Sequence, residues 1–189
     1  MKESYHHGNL KRDLLETSIH IISEEGFEHL SLRNISAKCG VSHNAVYRHF
    51  DSKEQLISAC QKYVTEEFVN YLEYRVNGEK TDTLGKIERL SYSYIEFYQE
   101  HPSYYSFLFR NSSAKIYITI DEKNENYPPY VLFCKYYNQY AREKGLSEAD
   151  TLVRLTRLWA LLHGLTALLI SKNIEWNGNW KACLGKEIF

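Results

Sequence analysis

His43, Asn44, Tyr47 and Arg48 gather four hydrogen-bonding side chains within six residues, and His49 and Lys53 follow closely. Spacings of three and four residues put such side chains on one face of a helix. These residue types suit nucleic acid. An asparagine amide pairs bidentately with an adenine edge, while hydroxyl and basic groups hold phosphates. Asn44 is the expected base reader, with His43 beside it at the amino end of the reading helix. Tyr47, Arg48, His49 and Lys53 belong to the same contact set, with Tyr47, His49 and Lys53 assigned to phosphates. Lys11 and Arg12 are expected at the backbone or minor groove, and Ser31, Arg33 and Ser42 complete the set.

The elements that must position these residues are legible around them. Ser31 can cap a helix from Leu32 to about Cys39, and Ser42 a second one from His43 to about Phe50, since a hydroxyl at that position accepts an orphan amide of the first turn. Gly40 stands between them, where the chain must turn through a left-handed conformation. Ile35, Val41 and Val46 can fold the pair together. Two short helices joined by a glycine turn make a helix-turn-helix, whose second helix enters the DNA major groove. A first helix is expected from Leu10 to Glu25, capped by Asn9 and stopped by Gly26, with Leu15, Ile19 and Ile22 on one face. Ser52 and Gln55 have capping-box spacing for a connector helix from Lys53 to about Val76, with Ile57, Cys60, Val64, Phe68 and Tyr71 on one side. Beyond a polar linker at 77–82, helices are expected from Leu84 to Glu100, from Pro102, from Pro128 to near Gly145, and from Ser147 to about Lys172. Residues 111–126 read as a loop, with Ile116, Ile118 and Ile120 alternating within it.

The stretch YHHGNLKRDLLETSIHIISEEGFEHLSLRNISAKCGVSHNAVYRHFDSKEQL is similar throughout to the amino-terminal domain of the TetR family of transcription regulators. Far downstream, Trp159, His163 and Gly164 in RLWALLHGLTALL resemble the WHG motif of one TetR subgroup. The resemblance implies an all-α homodimer. A three-helix, helix-turn-helix DNA-binding domain would occupy residues 1–52. A helical domain for effector binding and dimerisation would occupy residues 53–189.

Composition narrows the alternatives. A length of 189 residues is ample for a core, and 43% hydrophobic with 25% charged residues is ordinary globular composition. The net charge of −1 gives no global attraction to DNA, and residues 1–53 are themselves balanced. The basic footprint is local, between His43 and Lys53, so useful affinity is expected to need two subunits. Cys39, Cys60, Cys134 and Cys183 are scattered, as expected of free thiols in a reducing cytoplasm. The opening residues have no apolar core of a signal peptide, and the longest apolar run, Leu158 to Ile170, is read as too short to span a bilayer. His6 and His7 are adjacent, which is poor metal-chelating geometry. No catalytic motif, cofactor-binding loop or metal site is visible, so no enzyme activity, cofactor or metal is expected.

The last long helix is apolar nearly all round, which implies burial on two sides. Leu158, Leu161, Gly164, Leu165 and Leu168 are the expected dimer contacts, the glycine permitting a close crossing. The middle of the chain is rich in tyrosine, a residue that walls a pocket with an apolar face and a polar tip. Tyr92, Tyr98, Tyr104, Tyr105, Phe109, Tyr130, Phe133, Tyr137, Trp159 and His163 are the expected lining of a site for a small, mostly apolar effector. The leading expectation is a repressor that binds a near-palindromic double-stranded operator and is released by this effector. The alternative is a helical ligand- or partner-binding module whose helix-turn-helix does not touch DNA.

Overall fold

The computed structural model describes residues 10–78, 81–110, 115–122 and 125–185. The expected Asn9 cap and the His6–His7 pair lie outside them. The described residues form α1 (Leu10–Glu25), α2 (Leu32–Lys38), α3 (His43–Tyr47), α4 (Lys53–Asn77), α5 (Thr83–Glu100), α6 (Pro102–Tyr105), α7 (Pro128–Lys144) and α8 (Glu148–Ile170). There is no strand among them; residues 115–120 are irregular, so the alternating isoleucines do not build one. A π-helical turn, Ser106–Arg110, follows α6, and a 3-10 turn, Trp180–Leu184, lies in the carboxyl-terminal tail.

The punctuation follows from local chemistry. Ser31 Oγ accepts the Asn34 amide at 3.1 Å and Ser42 Oγ the Ala45 amide at 3.3 Å, each replacing a bond the first turn lacks. Gly40 takes φ 66°, and the Val41 amide reaches back to the Ser36 carbonyl at 3.0 Å, closing α2 with a left-handed cap. At the start of α4, Ser52 Oγ accepts the Gln55 amide, while the Gln55 side chain takes the Asp51 amide rather than that of Ser52. The capping box is thus shifted by one residue on its return bond.

The chain divides into two compact units. The first contains the described residues within Met1–Val64 and Ser103–Ser113, the second those within Thr65–Pro102 and Ala114–Phe189. α4 runs through both. Its buried stripe is Leu56, Cys60, Val64, Phe68, Leu72 and Val76, a strict four-residue repeat. Ile57 and Tyr71, expected on that face, are only half-buried. A four-residue repeat drifts slowly round the helix, so one register can serve two successive cores.

The first core packs Leu14, Ile19, Ile22, Ile35, Val46, Phe50 and Leu56, each at most 2% exposed. Phe107 and Leu108, from the π turn, are equally buried within this unit. The second unit packs α5, α7 and α8 pairwise. Phe68 of α4 stacks there on Phe97 and Tyr98, with ring centroids 4.7 Å apart in both pairs. The tail returns to α5, where Lys181 Nζ donates to Glu96 Oε1 at 2.8 Å and Trp180 meets Tyr92. α8 corrects one reading of the sequence. Taken as a whole helix it is long and apolar enough to cross a membrane, with a mean hydropathy of 1.3 over its best 18-residue window. Only a third of that window is buried in the fold, so much of its apolar surface faces outward.

Candidate nucleic-acid interface and effector unit

α3 has two faces. Val46, and Phe50 just past its end, are buried in the first core, while His43, Asn44, Tyr47, Arg48 and His49 are all exposed. Burying two apolar side chains holds the helix at about 1.5–3 kcal/mol each, which fixes the direction of the polar face. The His43 and Tyr47 rings meet edge-on with centroids 4.8 Å apart, a one-turn contact that limits the freedom of both. Ser31, Arg33 and Ser42 are exposed. Both serine Oγ atoms are engaged as helix caps, and each hydroxyl proton remains able to donate outward.

Two basic residues are more engaged than the sequence suggests. Lys53 is half-buried, and its Nζ donates to the Phe27 carbonyl at 2.6 Å, tying α4 to the turn after α1. Arg12 lies 4.0 Å from Glu16 Oε1 and 6.0 Å from the centre of the Tyr63 ring. Lys11, beside it, is exposed. Glu16 accepts hydrogen bonds from both Tyr63 and Tyr104 at 2.6 Å. Burial and the adjacent carboxylate push both phenols above their ordinary pKa and keep them donating. These bonds fasten α1, α4 and α6 within the first unit.

The expected effector lining divides into separate groups. Tyr98, Tyr130, Phe133, Trp159 and His163 belong to one aromatic cluster of the second unit. Its hub is Tyr94, which the sequence reading missed. Its ring lies 5.1 Å from Tyr98, 5.5 Å from Trp159 and 5.4 Å from His163. The available signal was its spacing, three and four residues before Phe97 and Tyr98. Tyr137 is buried against Tyr140, and Tyr92 pairs with Trp180 of the tail. Tyr104, Tyr105 and Phe109 belong to the first unit, because the chain enters it at Ser103. The ten residues therefore do not line one wall. The clustered rings lie at contact spacing, as core aromatics do.

His163 sits in this cluster with its ring nitrogens 3.2 Å from the Tyr94 hydroxyl and Nδ1 3.1 Å from the Trp159 carbonyl. Burial pulls its pKa down to about 4, so the ring is neutral at physiological pH. Open grooves lie elsewhere on the second unit. One, of about 460 Å³, is lined by Val69, Glu73, Glu122, Asn126 and the α7 residues Pro128, Val131, Leu132 and Lys135. Another, of about 420 Å³, shares Asn126 with it, and a further one, of about 430 Å³, lies beside Tyr92 and Lys181.

The expected dimer residues also separate. Leu158 and Leu165 are buried inside their own unit. Leu161 is half-buried, while Gly164 and Leu168 face outward in line with Val153 and Ala160. A Cβ built on Gly164 meets nothing within 4 Å.

Comparison with known proteins agrees with this architecture. Residues 14–60 match the family model for bacterial regulatory proteins of the tetR family, and residues 87–185 match the tetracyclin repressor-like C-terminal domain. The second match alone spans more than half of the chain and includes Trp159, His163 and Gly164. The chain belongs to the TetR family of transcription regulators, with an amino-terminal helix-turn-helix DNA-binding domain. It is 40% identical over 55 residues to the HTH-type transcriptional regulator YerO of Bacillus subtilis, covering 29% of this chain and 19% of that one. It is 25% identical over 113 residues to the nucleoid occlusion factor SlmA of Haemophilus ducreyi, covering 56% and 55%. The chain thus spans about a fifth of YerO and about half of SlmA. Among solved structures, a TetR family transcription regulator from Marinobacter aquaeolei superposes with a TM-score of 0.70 at 17% identity, covering 92% of this chain and 90% of its own. The fatty acid degradation regulator FadR of Bacillus halodurans gives 0.63 at 17%, covering 94% and 90%. At such identities the likeness is one of fold.

Proposed function

We propose that this protein is a cytoplasmic repressor, without enzyme activity, that binds a near-palindromic operator as a homodimer and is released by a small, mostly apolar effector. The observation that carries the reading is the outward face of α3. Asn44, Tyr47 and Arg48 stand in solvent while Val46 and Phe50 hold the helix from behind. Asn44 is assigned to a base edge, with His43 next to it. Tyr47, Arg48, His49, Lys11, Arg12, Ser31, Arg33 and Ser42 are assigned to the surrounding contacts, phosphates foremost. Lys53 can join them only by leaving the Phe27 carbonyl or sharing its remaining protons.

The functional division follows residues 1–52 for DNA and 53–189 for effector and dimer. The outward stripe of α8 supports self-association. Leu161, Gly164 and Leu168, with Val153 and Ala160, offer an apolar strip with space at the glycine for a second helix. Helix-turn-helix readers gain affinity by occupying two half-sites one DNA turn apart, which matches a small local footprint. Two elements support communication: α4 runs unbroken between the units, and Ser103–Arg110 of the downstream chain is built into the first one. A ligand acts only through differential affinity for two states, so the effector must favour an arrangement of the reading helices unlike the DNA-bound one.

The experiment is retention on random and selected duplex DNA across a salt series. A phosphate-contacting dimer loses affinity steeply, with a log–log slope of about −0.9 per phosphate neutralised. Absence of salt-dependent retention would leave the helix-turn-helix as a packing device only.

A further inference from the structure

We propose that the groove between the second half of α4 and the start of α7 binds a lipophilic organic cation. The inference rests on the effector reading above and gives it a place and a ligand class. The floor is built by two facing helix stripes: Val69 and Glu73, one turn apart on α4, and Pro128, Val131, Leu132 and Lys135 on α7. Its volume, about 460 Å³, suits a drug-sized molecule. Val69, Pro128, Val131 and Leu132 supply apolar surface, and Glu73 and Glu122 stand over it.

The third wall is held firmly. Asn126 is 7% exposed. Its Oδ1 accepts from the amides of Tyr117 and Tyr127, and its Nδ2 donates to the Tyr117 carbonyl at 2.7 Å. Glu122 is steadied by Asn138, whose Nδ2 donates to Glu122 Oε1 at 2.9 Å. A site with fixed walls binds with a smaller ordering cost.

The charge pattern selects the sign of the ligand. The adjoining groove, which shares Asn126, adds Asp121 and Glu125. Among the described lining residues, Glu73, Glu122, Asp121 and Glu125 face Lys135 as the one cation. Its ammonium lies 5.7 Å from the Tyr136 ring, on its own helix. A helix start ordinarily favours an anion, but α7 opens with Pro128 and Pro129, which carry no N–H. A hydrated inorganic cation would leave the apolar floor unused, and an apolar neutral molecule would leave the carboxylates unused. A cation with an apolar body uses both. Because Val69 and Glu73 belong to the helix that continues into the first unit, an occupant there can bias DNA binding.

The test uses the full chain and a pair of ions of matched shape and opposite charge, tetraphenylphosphonium and tetraphenylborate, in equilibrium dialysis. Saturable binding of the phosphonium, with the borate excluded, is expected. Glu73→Gln with Glu122→Gln should weaken the phosphonium about three- to tenfold, a range set by partly exposed charges. Lys135→Gln should strengthen it. All three side chains are exposed, so the fold should be unchanged by circular dichroism. Equal or tighter binding of the borate, no saturable phosphonium binding, or indifference to all three substitutions would overturn the proposal. Operator titration with phosphonium-loaded protein separates the two readings: unchanged DNA affinity with the binding pattern intact upholds the groove and overturns the effector reading.

Discussion

The two units use the same residue types in opposite ways. In the first, His43 and Tyr47 stand in solvent and touch each other edge-on, and Tyr47 is 47% exposed. In the second, His163 and Tyr94 touch with their rings tilted, and Tyr94 is fully buried. An exposed ring with a polar tip can meet a phosphate or a base, and its loss leaves the core intact. A buried ring must satisfy its polar atom internally, as the Tyr94 hydroxyl and His163 do, and its loss opens a cavity. Substitutions in the first unit should therefore change DNA binding at constant stability, and substitutions in the second should do the reverse.

The largest effect is expected at Trp159. Its ring contacts Tyr94, Tyr130, Phe133 and His163. Trp159→Ala should cost about 3–5 kcal/mol in denaturant unfolding. A loss below that of an ordinary surface substitution would mean the cluster is not a packed core.

His163 comes next and carries a pH signature. Its folded pKa is near 4 against 6.5 unfolded, so the unfolded state takes up the proton first. Stability is therefore full above pH 6.5 and falls as the pH drops from 6.5 towards 4. The loss is at most about 3 kcal/mol, since a tenfold change in proton affinity corresponds to about 1.4 kcal/mol and the ring is only partly shielded from water. His163→Gln should flatten this segment of the curve relative to the unsubstituted protein. Identical pH curves for the two would contradict the neutral, buried assignment.

Gly164 sharpens the comparison at the outer face of the same helix. A side chain there meets nothing within its own unit, so Gly164→Leu should leave the protomer folded. Overpacking a helix crossing should weaken the dimer by about 1–3 kcal/mol, read by sedimentation equilibrium. An unchanged dimer would place the interface elsewhere. The smallest effect is expected at Ser42, where Ser42→Ala removes the cap of α3 and should cost about 1 kcal/mol in thermal unfolding. No change would mean that the Ala45 amide finds another acceptor.

The first unit was largely legible because its signals are local. Gly26, Gly40 and Gly145 all adopt positive φ where the sequence places helix ends, and Ser31, Ser42 and Ser147 all cap. Each signal acts within four residues, and the alternatives to it are sterically worse. The second unit depends on pairings distant in sequence. Nothing local marks Tyr94 as the hub, or Ser103–Arg110 as part of the first core. On α8, apolarity on every side could not tell Leu158 and Leu165, which face inward, from Gly164 and Leu168, which face out. Lys53 was misleading for the same reason, since its partner, the Phe27 carbonyl, lies 26 positions earlier.

The central claim is that α3 reads base edges through Asn44. Its most direct test is binding-site selection from random duplex DNA, run in parallel on the full chain and on Asn44→Ala, with unfolding measured on both. The original chain should select a site with two inverted half-sites about one helical turn apart. Asn44→Ala should lose preference at one position per half-site, costing about 1–3 kcal/mol there, with stability unchanged within about 0.5 kcal/mol. An identical selected motif from the two proteins would contradict the account.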